Sequence, residues 1–304
     1  MSLYSMLKGR GPSGFGYGST AEEVTEGLDL QGKTILITGI NSGLGQETAR
    51  VLAMRGARIL GTARTDDKAA QACAALPNEP VPLTCELSEP ESVRACVDAA
   101  AEHGPIDVIV GNAGIMALPK RTLAHGHELQ FLTNHIGHFM LVTGLLPHLA
   151  EDARVVMLSS SAHAWAPKTG IAFGDLSFER KYNPTEAYGQ SKLANLLFAR
   201  SLAKRFEGTA RTANALHPGV IATNLMRHMS GAVRMFTPLA NALVMKSIPQ
   251  GAATQCYVAT HPSLAKVSGE YFADCNVAQS SALGQDLELA ERLWSVTEEI
   301  AERL

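Results

Sequence analysis

The chain alternates short, almost wholly apolar runs with longer stretches in which apolar residues recur at the spacing of a helix. The apolar runs predict seven strands, KTILITG, ARILGTA, VPLTCEL, IDVIVGN, ARVVMLSS, RTANALH and GEYFAD. Strands that are covered on both faces are apolar throughout, as in a buried parallel sheet. The stretches between them predict helices, among them LGQETARVLAMRG, DDKAAQACAAL, PESVRACVDAAAEHG and HELQFLTNHIGHFMLVTGLLPHL. Strict alternation of strand and helix therefore predicts an α/β fold with a doubly wound, seven-stranded parallel sheet.

The pattern also predicts how the chain is organised. No linker rich in proline, serine or charge divides it, so we expect one domain over residues 31–304. Residues 1–30 form an arm that opens with glycines and polar residues and ends in the acidic, helical stretch AEEVTEGLDL. The Met- and Leu-rich residues at about 223–250 break the alternation. They fit either a core helix, since methionine fills irregular gaps, or a lid over a substrate.

Composition narrows the class of protein. The 304 residues are 46% hydrophobic and 18% charged with a net charge of -3, which excludes a disordered chain and a basic nucleic-acid binder. Small molecules are the expected partners. The five cysteines are scattered without a C-x-x-C pair, so a reducing compartment, the cytoplasm, fits best. No apolar run reaches the roughly 18 residues of a membrane span, and the opening residues lack the apolar core of a signal peptide.

The stretch TGINSGLG, residues 38–45, lies between the first predicted strand and the first long helix. At such a turn, backbone N–H groups and the positive end of the helix dipole meet a pyrophosphate. Gly39, Gly43 and Gly45 would permit the tight turn, the close approach of a cofactor and close packing of the helix. A glycine-rich loop alone is a weak signal, but its place between strand and helix predicts dinucleotide binding.

The spacing Gly-x-x-x-Gly-x-Gly resembles the cofactor loop of the short-chain dehydrogenase/reductase family, and further motifs follow in that family's order. GNAG at 111–114 resembles the family's Asn-Asn-Ala-Gly, with Gly111 in place of the first Asn. LSSS at 158–161 is followed by Tyr188 and Lys192, which resemble the family's Tyr-x-x-x-Lys pair, and HPGVIAT at 217–223 resembles its Pro-Gly turn. The serine strand is similar to that of the retinol-dehydrogenase-like or WW-domain-oxidoreductase-like branch. The resemblance covers residues 34–275 and implies a Rossmann fold.

The resemblance implies a catalytic set of four residues, Asn134, Ser160, Tyr188 and Lys192. Tyr188 and Lys192 share one helix face, and hydride transfer to a carbonyl needs a proton moved to its oxygen. Tyr188 would be the general acid/base, while Lys192 would lower its pKa and bond the nicotinamide ribose. Ser160 would orient the substrate oxygen, with Ser159 and Ser161 as alternatives because alternation along a strand allows a shift of one residue. Asn134 would hold a water that relays protons.

The residue that ends the second strand reads the adenosine ribose in this architecture, and here it is Arg64. A guanidinium suits the 2'-phosphate of NADP(H), which is the predicted cofactor, with NAD as the alternative if Arg64 is merely solvated. Glu86 stands where the family usually has an Asp that contacts adenine. The residues expected to hold the cofactor are Gly39, Asn41, Ser42, Gly43, Leu44, Gly45, Arg64, Glu86, Leu87, Asn112, Ala113, Gly114, Tyr188, Lys192, Pro218, Gly219, Val220 and Thr223.

Four histidines, His125, His127, His135 and His138, lie on or just before the predicted helix that carries Asn134. Histidines at i and i+3 without acidic or cysteine companions are more typical of packing or of a solvated surface, so no metal site is expected. His163, just after the serines, fits either a substrate contact or a capping or core role.

Together these features predict an NADP(H)-dependent oxidoreductase that interconverts an alcohol and a carbonyl on an apolar small molecule. A nucleotide-sugar epimerase is disfavoured, because Gly-x-x-Gly-x-x-Gly and a larger C-terminal domain are missing. The alternative is a non-catalytic dinucleotide-binding sensor or scaffold that keeps the residues by descent. The resemblance also allows a homodimer or homotetramer built on the helices around Asn134 and Tyr188.

Overall fold

The protein is built on a central sheet with helices on both faces, in a computed structural model that describes residues 8–221 and 245–304. The strands of this sheet are β1 Thr34–Thr38, β2 Arg58–Ala63, β3 Val81–Thr84, β4 Ile106–Gly111, β7 Leu149–Leu158, β8 Thr212–His217, β9 Tyr271–Ala273 and β10 Asn276–Val277, and a separate hairpin contains β5 Leu123–Ala124 and β6 His127–Glu128. The order across the sheet is β10-β9-β8-β7-β4-β1-β2-β3. Every neighbouring pair except β9 and β10 is parallel. The predicted doubly wound α/β class is confirmed.

The predicted number of strands, seven, is wrong by one, since the sheet has eight strands among the described residues. The additional strand, β10, pairs antiparallel with β9 through Ala273 and Asn276. Asp274 and Cys275 between them have φ of 52° and 61°, the conformation of a two-residue hairpin turn. β10 contains only 2 residues, which is too short for a period-2 pattern to reveal it.

The described helices comprise the predicted ones and two more. They are α1 Ala21–Val24, α2 Gly43–Met54, α3 Asp66–Cys73, α4 Pro90–Ala101, α5 Leu129–Phe131, α6 Gly137–Leu145, α7 Pro184–Arg205, α8 Ile248–Thr260 and α9 Leu287–Arg303. Single 3₁₀ turns lie at Leu146–His148, Ser161–Trp165, Pro262–Leu264 and Leu283–Gln285. The sequence pattern did not single out α8 or α9. α8 is buried on nearly all sides and therefore lacks an amphipathic pattern, and α9 lies beyond the last predicted strand.

The central strand β1 shows why the buried strands are apolar throughout. Ile35 and Ile37 point into the layer that contains α2 and α8. Leu36, between them, points into the opposite layer with α4, α6 and α7. All three side chains are fully buried, because helices cover both faces of the sheet.

The long helix predicted at 127–149 is interrupted. α5 passes into a π-helical turn at Leu132–Ile136, and α6 begins only at Gly137. Asn134 lies in the π-helical turn, a local structure that is frequent at functional sites.

The described part of the N-terminal arm packs against the rest of the molecule. Ala21 and Val24 of α1 are buried in the same core layer as α8. Asn276 of β10 donates a hydrogen bond from Nδ2 to the Phe15 carbonyl oxygen at 3.1 Å. The arm thus contacts β10, the edge strand of the sheet, through the side chain of Asn276.

Thr223 and most of the predicted lid at 223–250 lie outside the described residues. Within that predicted segment, Ile248 begins α8. Across residues 8–221 and 245–304, none of the helices combines the length and the apolar character that crossing a bilayer requires.

Candidate active site

The predicted site residues gather at one edge of the sheet, because the parallel strands all end there. The glycine loop follows β1, Arg64 follows β2, Glu86 and Leu87 follow β3, Asn112 to Gly114 follow β4, Ser160 follows β7 and Pro218 to Val220 follow β8. Tyr188 and Lys192 lie on α7, and Asn134 lies in the π-helical turn of the same layer.

The glycine loop forms a tight backbone cradle against the end of β4. Gly39 has a φ of 73°, and a Cβ there would lie 3.0 Å from the Cβ of Ala113. A Cβ on Gly45 would collide with the carbonyl oxygen of Gly39. Gly43 has a φ of 59°, and it opens the 12-residue helix α2, whose first N–H groups have no partner within the helix. A cradle without side chains at a helix N-terminus fits a pyrophosphate.

Thr38, which the sequence analysis did not single out, holds this loop to β4. Its Oγ1 accepts the N–H groups of Asn112 and Ala113, each at 2.9 Å. Asn112 Nδ2 donates back to the Thr38 carbonyl oxygen at 2.7 Å. The signal in the sequence was a polar residue at the end of an apolar strand, directly before the first glycine.

Arg64 stands directly after β2, and 66% of its side chain is exposed. Its Nε lies 3.9 Å from a carboxylate oxygen of Glu86, which follows β3. The other Glu86 oxygen accepts the Ser88 hydroxyl at 2.9 Å. The Leu87 side chain belongs to the core, so only its backbone can face a ligand. An exposed guanidinium at this strand end fits the phosphate of NADP(H) better than a ribose hydroxyl.

Tyr188 is buried on α7, and the side chain of Ser160 lies close enough to its phenol to influence its pKa. Burial raises the pKa of Tyr188 to about 12, and the neighbouring Ser160 side chain opposes this shift. We expected Lys192 to lower the pKa of Tyr188, but burial raises it, and the side chain that opposes the rise is Ser160 and not Lys192.

Lys192 lies one helical turn after Tyr188, with its Nζ 5.8 Å from the centroid of the phenol ring. The ammonium donates to the Leu158 carbonyl oxygen at 3.0 Å, and burial lowers the pKa of Lys192 to about 8. A Cβ on Gly114 would lie 3.5 Å from Lys192 Nζ and 3.1 Å from Asn134 Oδ1. Gly114 therefore leaves space beside both groups.

The three consecutive serines differ in their partners. Ser159 is buried and donates its hydroxyl to the Lys192 carbonyl oxygen at 2.7 Å. Ser161 is exposed. Ser160 is half-buried, and it is the serine that influences the pKa of Tyr188, which favours it over the two alternatives.

Asn134 connects the segment after β4 with the helix that carries Tyr188. Its Oδ1 accepts the Ile115 N–H at 2.8 Å, and its Nδ2 donates to the Ile115 carbonyl oxygen at 2.9 Å. Nδ2 also donates to the Ser191 hydroxyl at 3.0 Å, which in turn donates to the Tyr188 carbonyl oxygen at 2.8 Å. The side chain of Asn134 thereby fixes the distance between two walls of the site.

The turn at Pro218 to Val220 packs on a buried cation that the sequence analysis missed. Gly219 has a φ of 99°, and a Cβ there would lie 2.6 Å from Cδ of Lys246. Lys246 Nζ lies 2.7 Å from a carboxylate oxygen of Asp274 and 4.8 Å from the centroid of the Tyr17 ring. These residues come from three distant parts of the chain, so no sequence signal links them.

Four of the five histidines that the sequence analysis considered, His125, His135, His138 and His163, have partners within the protein. His125 pairs with Glu89 at 2.9 Å, and His135 with the Thr297 hydroxyl at 3.0 Å. His163 uses Nδ1 to donate to the Ser160 carbonyl oxygen at 2.6 Å and Nε2 to accept the Ser281 N–H at 3.0 Å. This supports the capping role for His163. No group of three metal-type ligands occurs in the described part of the chain.

Comparison with known proteins identifies the family. A family model described as Enoyl-(Acyl carrier protein) reductase matches residues 39–273. Short-chain dehydrogenase TIC 32 A, a chloroplastic protein of Brassica napus, is 42% identical over 100% of both chains. Retinol dehydrogenase 12 of Mus musculus is 40% identical over 91% of this chain and 88% of its own.

Solved structures agree in fold. The crystal structure of an uncharacterized protein from Mycobacterium paratuberculosis has a TM-score of 0.76 and 32% identity, covering 94% of this chain and 98% of its own. A short chain dehydrogenase from Burkholderia cenocepacia, crystallised in complex with NADP, has a TM-score of 0.65 over 80% of this chain and 96% of its own. At 24% identity, the second structure supports the fold alone.

The chain belongs to the short-chain dehydrogenase/reductase family and is an oxidoreductase. The predicted family, its retinol-dehydrogenase-like branch and the enzyme class are confirmed.

Proposed function

We propose that the protein is an NADP(H)-dependent oxidoreductase that interconverts an alcohol and a carbonyl on an apolar small molecule. The observation that carries this proposal is the position of the buried Tyr188, with Ser160 beside it, at the sheet edge that also holds the glycine cradle. A proton donor and a dinucleotide cradle at one edge are the two parts that carbonyl reduction needs.

Bound NADPH supplies the hydride that reduces the carbonyl carbon. The glycine loop would hold its pyrophosphate, Arg64 its 2'-phosphate, and Lys192 its nicotinamide ribose. Ser160 donates a hydrogen bond to the carbonyl oxygen of the substrate and orients it. Tyr188 gives its proton to that oxygen as the hydride arrives, so the products are a neutral alcohol and NADP⁺. Alcohol oxidation runs through the same groups in reverse, with Tyr188 as the base.

One observation supports NADP(H) over NAD. Arg64, in a long ion pair with Glu86 at 3.9 Å, presents an exposed guanidinium at the strand end that contacts the adenosine ribose in this architecture. Fold neighbours do not distinguish the two cofactors, since one was crystallised with NADP and another with NADH.

An apolar substrate is supported by exposed apolar residues in the segments that follow β4 and the serines, and by one relative. The segment after β4 presents Ile115, Met116 and Leu118, all partly exposed, and Trp165 after the serines is 50% exposed. The mouse relative is named a retinol dehydrogenase, and retinol is an apolar alcohol.

The decisive experiment follows NADPH and NADH oxidation by the purified protein over a panel of apolar aldehydes and ketones. Tyr188→Phe removes the proton donor and should lower kcat by about a hundredfold or more, without loss of NADPH binding. Tyr257→Phe is the matched control, since this buried phenol lies on α8 and bonds Ser263 of the following 3₁₀ turn, away from the site. Full turnover in Tyr188→Phe would refute the mechanism, and tight NADPH binding without turnover in the wild type would favour the scaffold alternative.

We further propose the cytoplasm as the compartment, because the five cysteines are all free and fit a reducing environment. The Brassica napus relative is chloroplastic, so the test is the location of the tagged, full-length chain in its own cells.

A further inference from the structure

His138 on α6 is fully buried and lies between the two halves of the candidate site. Its Nε2 lies 2.9 Å from Oγ1 of Thr38, the residue directly before the glycine loop. Its Nδ1 lies 3.0 Å from the main-chain carbonyl oxygen of Asn134. One imidazole therefore contacts both the strand that presents the cofactor loop and the π-helical turn that carries Asn134.

Counting donors and acceptors fixes the direction of each hydrogen bond. The Asn134 carbonyl oxygen can only accept, so Nδ1 of His138 carries the proton and Nε2 of the neutral ring accepts. Thr38 Oγ1 already accepts the Asn112 and Ala113 N–H groups, so its own proton is directed to Nε2. Every polar atom of this buried chain then has a partner, which such a network requires.

The network is also closely packed. A Cβ on Gly111 would lie 2.8 Å from Cε and Sδ of Met157 and 3.2 Å from Cδ2 of His138. Any side chain at the end of β4 would therefore crowd Met157 first and the imidazole as well.

We propose that His138 is a positioning residue that sets the glycine loop and the Asn134 turn at a fixed distance from each other. This inference rests on the proposed function, since it concerns how the cofactor cradle is aligned with the groups around Tyr188. His138 touches neither cofactor nor substrate. It acts through Thr38 on one side and through Asn134 on the other.

Two variants of His138 test its hydrogen bonds to Thr38 and to Asn134 separately. His138→Gln places an amide near the position of Nε2 and can keep the bond to Thr38, whereas His138→Asn places one near Nδ1 and can keep the bond to Asn134. NADPH affinity is measured by fluorescence titration, and kcat with the best carbonyl of the panel. Hydrogen exchange of the Asn112 and Ala113 amides reports directly on the state of Thr38.

We expect His138→Asn to weaken NADPH binding about tenfold and to speed exchange of both amides, because Thr38 loses its partner. His138→Gln should keep affinity within about twofold and lower kcat about tenfold. Thr38→Val should weaken NADPH binding at least as much as His138→Asn, and Thr38→Ser should restore it, because serine keeps the hydroxyl.

His135→Gln is the matched control. His135 is equally buried one turn earlier on the same helix layer, but its Nε2 bonds Thr297 of α9 and not the cofactor strand. It should change neither NADPH affinity nor amide exchange. Unchanged affinity and exchange in His138→Asn, or an equal effect of His135→Gln, would overturn the proposal. If the wild type binds NADPH without turnover, the proposed function fails while the affinity and exchange measurements still decide the role of His138.

Discussion

At the scale of single residues, the three serines after β7 illustrate how neighbours in sequence receive different tasks. Ser159 lies inside the core, where it bonds the main chain of α7, and Ser160 lies at the surface of the site. Because the Ser159 hydroxyl already donates to the Lys192 carbonyl oxygen, Ser160 is the serine left to serve the site.

We predict that alanine substitutions at the three neighbouring serines have different effects on turnover and on stability. Ser160→Ala should lower kcat about a hundredfold, since it removes the group that orients the substrate oxygen, with little effect on stability. Ser159→Ala should instead lower the free energy of unfolding by about 1–3 kcal/mol, because the Lys192 carbonyl oxygen loses a buried donor. Carbonyl reduction kinetics and urea unfolding of both variants check this, with exposed Ser161→Ala as the control that should change neither.

Arg64 gives a second prediction at this scale. Arg64→Ala should raise KM for NADPH about tenfold to a hundredfold and leave KM for NADH nearly unchanged, because only NADPH carries the phosphate. Arg58→Ala is the matched control, since Arg58 begins the same strand at the opposite edge of the sheet. Equal changes in KM for both cofactors would place Arg64 outside the phosphate site.

At the scale of elements, α9 covers the helix layer that carries Tyr188 and Asn134. Trp294 of α9 packs against Phe139 and Phe198 with ring centroids 4.9 Å and 5.6 Å away. Arg205 at the end of α7 stacks on the Trp294 ring at 3.7 Å. The outer face of α7 is thus occupied by the chain's own C-terminal helix.

Removing the Trp294 side chain should destabilise the folded protein. Trp294→Ala should lower the free energy of unfolding by about 3–5 kcal/mol, the usual cost of deleting a buried aromatic side chain. Leu287→Ala, on the same helix but 51% exposed, should cost much less. Urea unfolding of both variants tests the docking of α9, and a loss below about 1 kcal/mol for Trp294→Ala would show that α9 contributes little.

At the scale of the whole molecule, α9 also bears on assembly. An assembly built on the helices around Asn134 and Tyr188, as the family resemblance allows, would have to use the outer surface of α9 or displace it. Sedimentation of the wild type and of Trp294→Ala would distinguish these two arrangements.

Buried neutral histidines make stability depend on pH. Burial lowers the pKa of His135 to about 3 and of His138 to about 4, from an ordinary 6.5. Between these pKa values and 6.5 the unfolded chain binds more protons than the folded one. The contribution of each neutral histidine to the free energy of unfolding is therefore fully present above pH 6.5 and is lost as the pH falls toward the folded-state pKa. Each histidine should contribute about 1 kcal/mol per pH unit in this window.

Urea unfolding at pH 7, 6 and 5 measures this dependence. His135→Gln should flatten the slope by the share of one histidine, because the variant has no imidazole to protonate there. The exposed His148→Gln is the control and should keep the wild-type slope. An unchanged slope in His135→Gln would show that this imidazole is not the source of the dependence.

The sequence by itself determined the alternation of strands and helices, the glycine loop, the family and the spacing of Tyr188 and Lys192. These are local properties, because the spacing of apolar residues in a helix or strand and the residues that form a turn involve only a few neighbouring positions of the chain. It also placed Arg64 at a strand end, because the register of an apolar run marks where a strand stops.

Only the tertiary structure decided how the three serines differ in burial and partners, that burial raises the pKa of Tyr188, and that β10 adds an eighth strand. It alone joined Thr38 to His138 across 100 residues and brought Lys246, Asp274 and Tyr17 together. Burial and hydrogen bonding between distant segments depend on how the helices and strands pack. The pattern of residues along the chain does not show which distant side chains will be buried next to each other.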